Sequence, residues 1–194
     1  MKKKLLIKTI ALNAIICALY VVLSLISGPL AFLGGSLQFR LSELLNLLVF
    51  FNPSYSIGVT LGCFLTNLIS LYGWPDLVVG TLATLITTLL IIVVSKTIKK
   101  LLVAAFVPAI INALIIPFVV FLYDLETPLY TFYWTTFMFV GLGELIVVLL
   151  IGYPIFLFLI RKTKTFGKII FVTQNEDVKW WLFSYLLYLT KTKW

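Results

Sequence analysis

Long runs of Leu, Ile, Val, Phe and Ala, broken by short polar or turn-forming stretches, make up most of the 194-residue chain. Six runs are legible: residues 5 to 27, about 38 to 51, 54 to 71, 76 to 95, 101 to 123 and 132 to 160. The breaks carry turn or charge chemistry: Gly28-Pro29 with Gly34-Gly35, Asn52-Pro53, Gly73-Trp74-Pro75, the Lys96 to Lys100 cluster, and Asp124 to Pro128. A membrane crossing takes ~20 apolar residues, so runs of this length predict transmembrane helices. No internal repeat is visible.

The second run departs from this pattern. From Gln38 to Phe51 it has 14 residues, and at a rise of ~1.5 Å each it covers about 21 Å of a hydrocarbon core about 30 Å thick. It cannot cross alone, so its outer end is expected below the membrane surface, inside the bundle. That end reads LQFRLSE and carries Arg40 and Glu43.

Composition agrees with the pattern. Hydrophobic residues make up 62% of the chain and charged ones 11%, with a mean hydropathy of +1.14, whereas soluble domains are roughly half apolar. The fold class expected is an all-α integral membrane protein, a bundle of six transmembrane helices. Residues 1–167 are expected to form its membrane domain and residues 168–194 a cytoplasmic or interfacial extension, in which residues 178 to 190, aromatic-rich and lysine-flanked, read as an interfacial helix. The basic start before an apolar run could suggest a signal peptide. The run exceeds the ~7–15 residues of such a segment and no small-residue cleavage site follows, so it reads as the first membrane helix.

The net charge of +8 sits at helix ends rather than on a nucleic-acid-binding face. Six spans put Lys2, Lys3, Lys4 and Lys8, then Lys96, Lys99 and Lys100, then Arg161, Lys162, Lys164 and Lys168 on one side. The positive-inside bias makes that side cytoplasmic, with both termini there in a multi-pass plasma-membrane protein. Asp124 and Glu126 then lie outside, with Tyr130, Tyr133 and Trp134 as an outer aromatic belt. No nucleic-acid partner is expected.

Cys17 and Cys63 lie in apolar runs without a CxxC spacing and read as small buried residues. The chain has no histidine, no activated Ser or Cys and no Gly-rich ATP loop, so neither an enzyme nor a cofactor is expected.

An ionisable group inside a membrane segment costs a few kcal/mol and needs a partner or a purpose. Arg40 and Glu43 open the second run, Asp76 the fourth, and Glu144 lies inside the sixth, while Asn13, Asn46, Asn67 and Asn112 add amides. The charge-derived orientation puts Arg40, Glu43, Asn67 and Asp76 toward the outer face and Asn112 and Glu144 nearer mid-depth. That distribution suits a small-molecule pocket open to the outside. Each residue also has a plain structural role open to it. Arg40 and Glu43, at i and i+3, can neutralise each other; Asp76 can cap a helix; Asn112 can be an interhelical strut. Glu144 has no counter-charge nearby in sequence and is the hardest to explain structurally. On the first run, Ala11, Ala14 and Ala18 share one face, a spacing that lets another helix approach, either in this bundle or in a partner.

Several pieces together have a familiar order. QFRLSE at 38 to 43, Gly62-Cys63 with Asn67, the Asp76 turn running into GTLAT at 80 to 84, PAIINALI at 108 to 115 and GLGELIVV at 141 to 148 make residues 8 to 160 resemble the QueT family. These are substrate-binding (S) components of energy-coupling factor (ECF) transporters linked to queuosine precursors. The resemblance implies a six-helix protein that captures a 7-deazaguanine, such as pre-queuosine or queuine, from outside. It implies a transmembrane coupling subunit and two cytoplasmic ATPases as partners, and makes Ala11, Ala14 and Ala18 the coupling-subunit contact. No counterpart of the stretch after Gly167 is recognised in the family.

On that implication the polar residues can be matched to the ligand. A deazaguanine offers N1 and its exocyclic amine as donors to a carboxylate, and O6 as an acceptor. Glu144 or Glu43 is expected to read the donor edge, with Gln38, Arg40, Asn67 and Asn112 in polar contact and Asp76 meeting an aminomethyl cation. The alternatives are a stand-alone secondary transporter using Glu144 as a proton relay, an S component for another vitamin or nucleobase, and an assembly subunit that binds no substrate.

Overall fold

The computed structural model describes residues 2–31, 39–123 and 129–162. Within them the chain is all-helical, in six rods. The first, α1, is Lys2–Ala31; α2 is Leu41–Phe51, a tight 3₁₀ turn running into a short α-helix; α3 is Tyr55–Asn67. Then come α4, Asp76–Thr97, α5, Leu101–Tyr123, and α6, Leu129–Glu144, which continues through Leu145–Gly152 into Tyr153–Lys162. The loop from Asp124 to Pro128, residues 34 and 35, and the 168–194 extension lie outside the described residues.

Side-chain contacts set the directions. Ser27, Ser24 and Tyr20 of α1 meet Leu41, Ser42 and Glu43 in turn, so α2 runs back along α1. Asn13 lies against Gly58 and Tyr20 against Gly62, so α3 runs parallel to α1. Cys63 and Asn67 meet Gly80 and Asp76, so α4 returns, and Asn112 and Leu114 meet Glu144 and Tyr133, so α5 and α6 are antiparallel. This up-and-down order gathers the start of α1, the α4–α5 turn and the end of α6 at one end of the bundle. The described parts of the three basic clusters, at the start of α1, the α4–α5 turn and the end of α6, therefore share an end. The α4–α5 turn is tight enough that Lys99 adopts a left-handed backbone, φ 57°, while its N–H bonds to the Val94 carbonyl at 2.8 Å.

Four rods contain stretches long and apolar enough to cross a membrane: Leu6–Gly28, Asp76–Thr97, Leu101–Leu122 and Tyr133–Leu159. Their outward faces are apolar, with Ile10, Ile15, Val93, Ile110, Met138 and Leu150 exposed, while polar groups collect inside, an inversion that suits lipid as the solvent. The first helix runs past the expected break at Gly28-Pro29 to Ala31, and the third ends at Asn67, short of residue 71.

The short α2 is the centre of the bundle. From Leu45 to Asn52 every residue is buried, and Leu47 and Val49 are wholly so. Its apolar residues pack with Tyr20, Val59, Ala104, Val148 and Phe156 from four other rods, and Phe51 stacks on Phe156. A helix apolar on all sides is stable only where other elements surround it, and an 11-residue helix so surrounded need not reach either membrane surface. The α1–α3 contact is equally close: a Cβ on Gly58 would lie 2.6 Å from the Asn13 carbonyl oxygen, and one on Gly62 2.6 Å from Tyr20 Cβ.

Candidate ligand site

At the end of the bundle opposite the α4–α5 turn, the start of α2 and the start of α4 bring Arg40 and Asp76 together. Arg40 precedes the 3₁₀ turn in an extended conformation, φ −102° and ψ 94°, so its side chain leaves the α2 axis before the turn closes through the Glu43 N–H to Arg40 carbonyl bond. Its Nη2 donates to Asp76 Oδ2 at 3.0 Å. Ser70 Oγ donates to the same oxygen at 2.6 Å, and Asn67 Nδ2 donates to the Asp76 backbone oxygen at 2.9 Å. Asp76 is fully buried, and its free Oδ1 lies against Gly80, where a Cβ would collide with it. The carboxylate also sits at the amino end of α4, which favours negative charge.

Arg40 and Glu43 therefore do not neutralise each other. Glu43 turns inward, where Tyr20 Oη donates to its Oε1 at 2.5 Å and Asn46 Nδ2 to its Oε2 at 2.5 Å. Asn112 Nδ2 on α5 bridges two carboxylates, at 3.3 Å from Glu43 Oε2 and 2.7 Å from Glu144 Oε1. Glu43, Asn46, Asn112 and Glu144 are all buried. No described cavity reaches this packed polar chamber, and two acceptors in it, Glu144 Oε2 and Asn46 Oδ1, have no hydrogen-bond partner among the described residues. Such atoms cost about 1–3 kcal/mol each in a dry interior, so the chamber is short of donors.

A cavity of about 160 Å³ opens between the end of α1, the start of α2 and the α3–α4 connection. Tyr20, Ser24, Arg40, Asn67, Ser70 and Asp76 are among its walls. Tyr20 joins the two groups, since it lines the cavity and donates to Glu43 behind it. The helical turns widen where the acids sit: Asp76 begins a π-helical stretch to Gly80, and Glu144 directly precedes another, Leu145–Gly152. Wide turns of this kind recur at functional sites.

Of the expected site residues, Arg40, Asn67 and Asp76 meet at the cavity, and Glu43, Asn112 and Glu144 meet in the chamber beneath it. Gln38 lies outside the described residues. Asp76 is engaged by Arg40 and Ser70 through Oδ2, while its buried Oδ1 has no hydrogen-bond partner among the described residues. Ala11, Ala14 and Ala18 are exposed on the outer face of α1, whose opposite face packs Asn13, Ile16 and Tyr20 inside. Cys63 is buried as expected and accepts from Thr84 Oγ1 at 3.1 Å, while Cys17 is half-buried. Tyr133 and Trp134 pack edge to face near the start of α6, and Tyr130 lies outside the described side chains. Tyr20 and Ser70 had no signal of their own in the sequence.

The family model for the QueT transporter matches residues 10–161. The chain belongs to the QueT transporter family. That range takes in both polar groups and every rod of the QueT-family bundle. Among curated proteins, the chain is 48% identical over 73 residues to the "Queuosine precursor transporter QueT" of Lactococcus lactis subsp. cremoris (strain MG1363). The match covers 38% of this chain and 43% of that relative. No solved structure matches.

Proposed function

We propose that this QueT-family protein is the substrate-capture component of an ATP-driven ECF importer, taking a queuosine precursor from outside the cell and delivering it inward. The observation that carries the reading is the donor-poor chamber of Glu43 and Glu144 beside a polar-walled cavity, in a chain whose curated relative is named for queuosine-precursor transport. A 7-deazaguanine presents the missing donors, N1–H and the exocyclic amine, side by side, and a carboxylate accepts both. Glu144, with one unused oxygen, reads that edge together with Glu43. Asn112 fixes their spacing, Arg40 and Asn67 contact the acceptor side of the ring, and Gln38 completes the set. Asp76 holds Arg40 through Oδ2 and meets an aminomethyl cation through its Oδ1, unpartnered among the described residues.

The end bearing the basic segments faces the cytoplasm, so the cavity opens outward. Ala11, Ala14 and Ala18 form a surface on which a coupling subunit's helix can seat, and ATP hydrolysis belongs to two partner ATPases. The protein is purified, its co-purifying small molecules are identified by mass spectrometry, and uptake is measured in proteoliposomes with and without the coupling subunit and ATPases. A bound 7-deazaguanine and uptake that needs the partners are expected. Uptake that persists without them identifies a stand-alone transporter instead.

A further inference from the structure

Resting on the capture reading above, we infer that Tyr20 is the lid between the outer cavity and the inner carboxylate chamber, and that Asn46 is a ligand-reading residue within the chamber. Tyr20 borders the cavity, whereas Glu43, Asn46 and Glu144 are not among its walls. A guest in the cavity reaches Glu43 Oε1 by taking the place of the Tyr20 hydroxyl, which donates to that oxygen at 2.5 Å.

The balance of donors and acceptors in the chamber supplies the reason. Asn112 Nδ2 is divided between the two carboxylates, and Asn46 Nδ2 is spent on Glu43. What remains is Asn46 Oδ1, which can only accept, and Glu144 Oε2, which accepts in the ionised carboxylate. Both residues are more than nine-tenths buried. Because Asn46 Nδ2 bonds to Glu43 Oε2, the same amide's Oδ1 lies close beside that carboxylate, so the unused acceptors belong to one chamber. Among the described residues, the one guanidinium nearby is held by Asp76 and supplies no donor to them. The complementary guest is a planar heterocycle with a ring N–H and an exocyclic amine on adjacent atoms, presented edge-on.

Tyr20 is almost wholly buried, with its base seated on Gly62 and its hydroxyl on Glu43. Gly62 lies so close that an added Cβ would stand 2.6 Å from Tyr20 Cβ and 2.9 Å from its Cγ. The absence of a side chain at Gly62 gives α1 its seat on α3 and gives the ring its place. The hydroxyl donates to Glu43 and also lies within hydrogen-bonding reach of Cys63 Sγ. Closing the lid therefore satisfies Glu43 when the chamber is empty, and opening it sacrifices one charge-assisted bond to a guest that must replace it.

This makes an unusual demand on Tyr20→Phe. A residue that merely contacts ligand weakens binding when truncated, and a structural one lowers stability with little effect on affinity. A lid whose bond competes with the guest does the opposite: the empty chamber loses its substitute donor, and the guest binds tighter. Purified wild-type and Tyr20→Phe proteins are titrated calorimetrically with 7-aminomethyl-7-deazaguanine and with the same compound lacking the 2-amino group. The expected result is about ten-fold tighter binding of the first compound by Tyr20→Phe, the size set by one hydrogen bond to a charged group. Loss of the 2-amino group should weaken binding to the wild type about 30-fold or more, because two acceptors are again left bare. Weaker or unchanged binding by Tyr20→Phe, with wild-type binding intact, overturns the lid while leaving the capture reading in place. Equal wild-type affinity for the two compounds overturns the chamber as the reading site, and needs no variant to fold. Failure of the wild type to bind either compound overturns both readings.

Discussion

Arg40 and Asp76 form the ion pair that closes the polar end of the bundle, with Nη2 and Oδ2 3.0 Å apart and the carboxylate wholly buried. Removing either partner strands the other in a poorly hydrated site, at a cost of about 3–5 kcal/mol. Arg40→Ala and Asp76→Ala should each lower the unfolding temperature in detergent markedly. The double replacement Arg40→Met with Asp76→Leu should regain much of that loss, because no charge is left unpaired, while ligand binding stays weak for want of Arg40.

Gly80 leaves room for Asp76 Oδ1 and lies close to Asn67 Nδ2, which a Cβ at that position would approach to 3.0 Å. Gly80→Ala should push the carboxylate off its position and loosen the Arg40 pair. Circular dichroism should show helix content retained, and titration should show affinity reduced by roughly ten-fold, the cost of displacing one charge-assisted bond.

Gly58 meets the backbone of α1 as well as a side chain, since an added Cβ would lie 2.6 Å from the Asn13 carbonyl oxygen and 2.9 Å from Asn13 Oδ1. That Oδ1 also accepts the Gly58 N–H at 2.7 Å. A backbone atom cannot rotate away, so Gly58→Ala should part α1 from α3 and destabilise the protein by about 1–3 kcal/mol, as read from thermal unfolding. An unfolding temperature equal to wild type would mean that the two helices are not packed this closely.

Much of this architecture is written in the chain order of apolar runs and breakers. Asn52-Pro53, Gly73-Trp74-Pro75 and the Lys96–Lys100 cluster each stand where one rod ends and the next begins. The shortness of the second run also anticipated a helix buried in the bundle. What local pattern could not convey is pairing across rods. Spacing of i and i+3 suggested that Arg40 and Glu43 face each other, but Arg40 is extended, outside the helical turn, so helical spacing does not govern where its side chain goes. Tyr20 looks like any aromatic in an apolar run, because its hydroxyl's partner is 23 positions away. Asn46 was visible as an amide within an apolar helix. Its part in the chamber depended on Glu43 and Glu144 being brought to the same place by α2 and α6.

Glu43 and Glu144 should respond differently to the same isosteric change. Glu43 accepts from Tyr20, Asn46 and Asn112, so Glu43→Gln puts an amide against several donors and should lower stability as well as binding. Among the described residues Glu144 accepts only from Asn112, and Glu144→Gln should fold with an unfolding temperature near that of wild type.

The role of Glu144 in ligand capture is tested most directly by calorimetric titration of the purified wild-type and Glu144→Gln proteins with pre-queuosine. Saturable one-to-one binding by the wild type is expected, with a loss of about 10- to 100-fold in Glu144→Gln, the worth of hydrogen bonds to a charged acceptor. Equal affinity in a folded Glu144→Gln protein, or no binding by the wild type, would contradict that role.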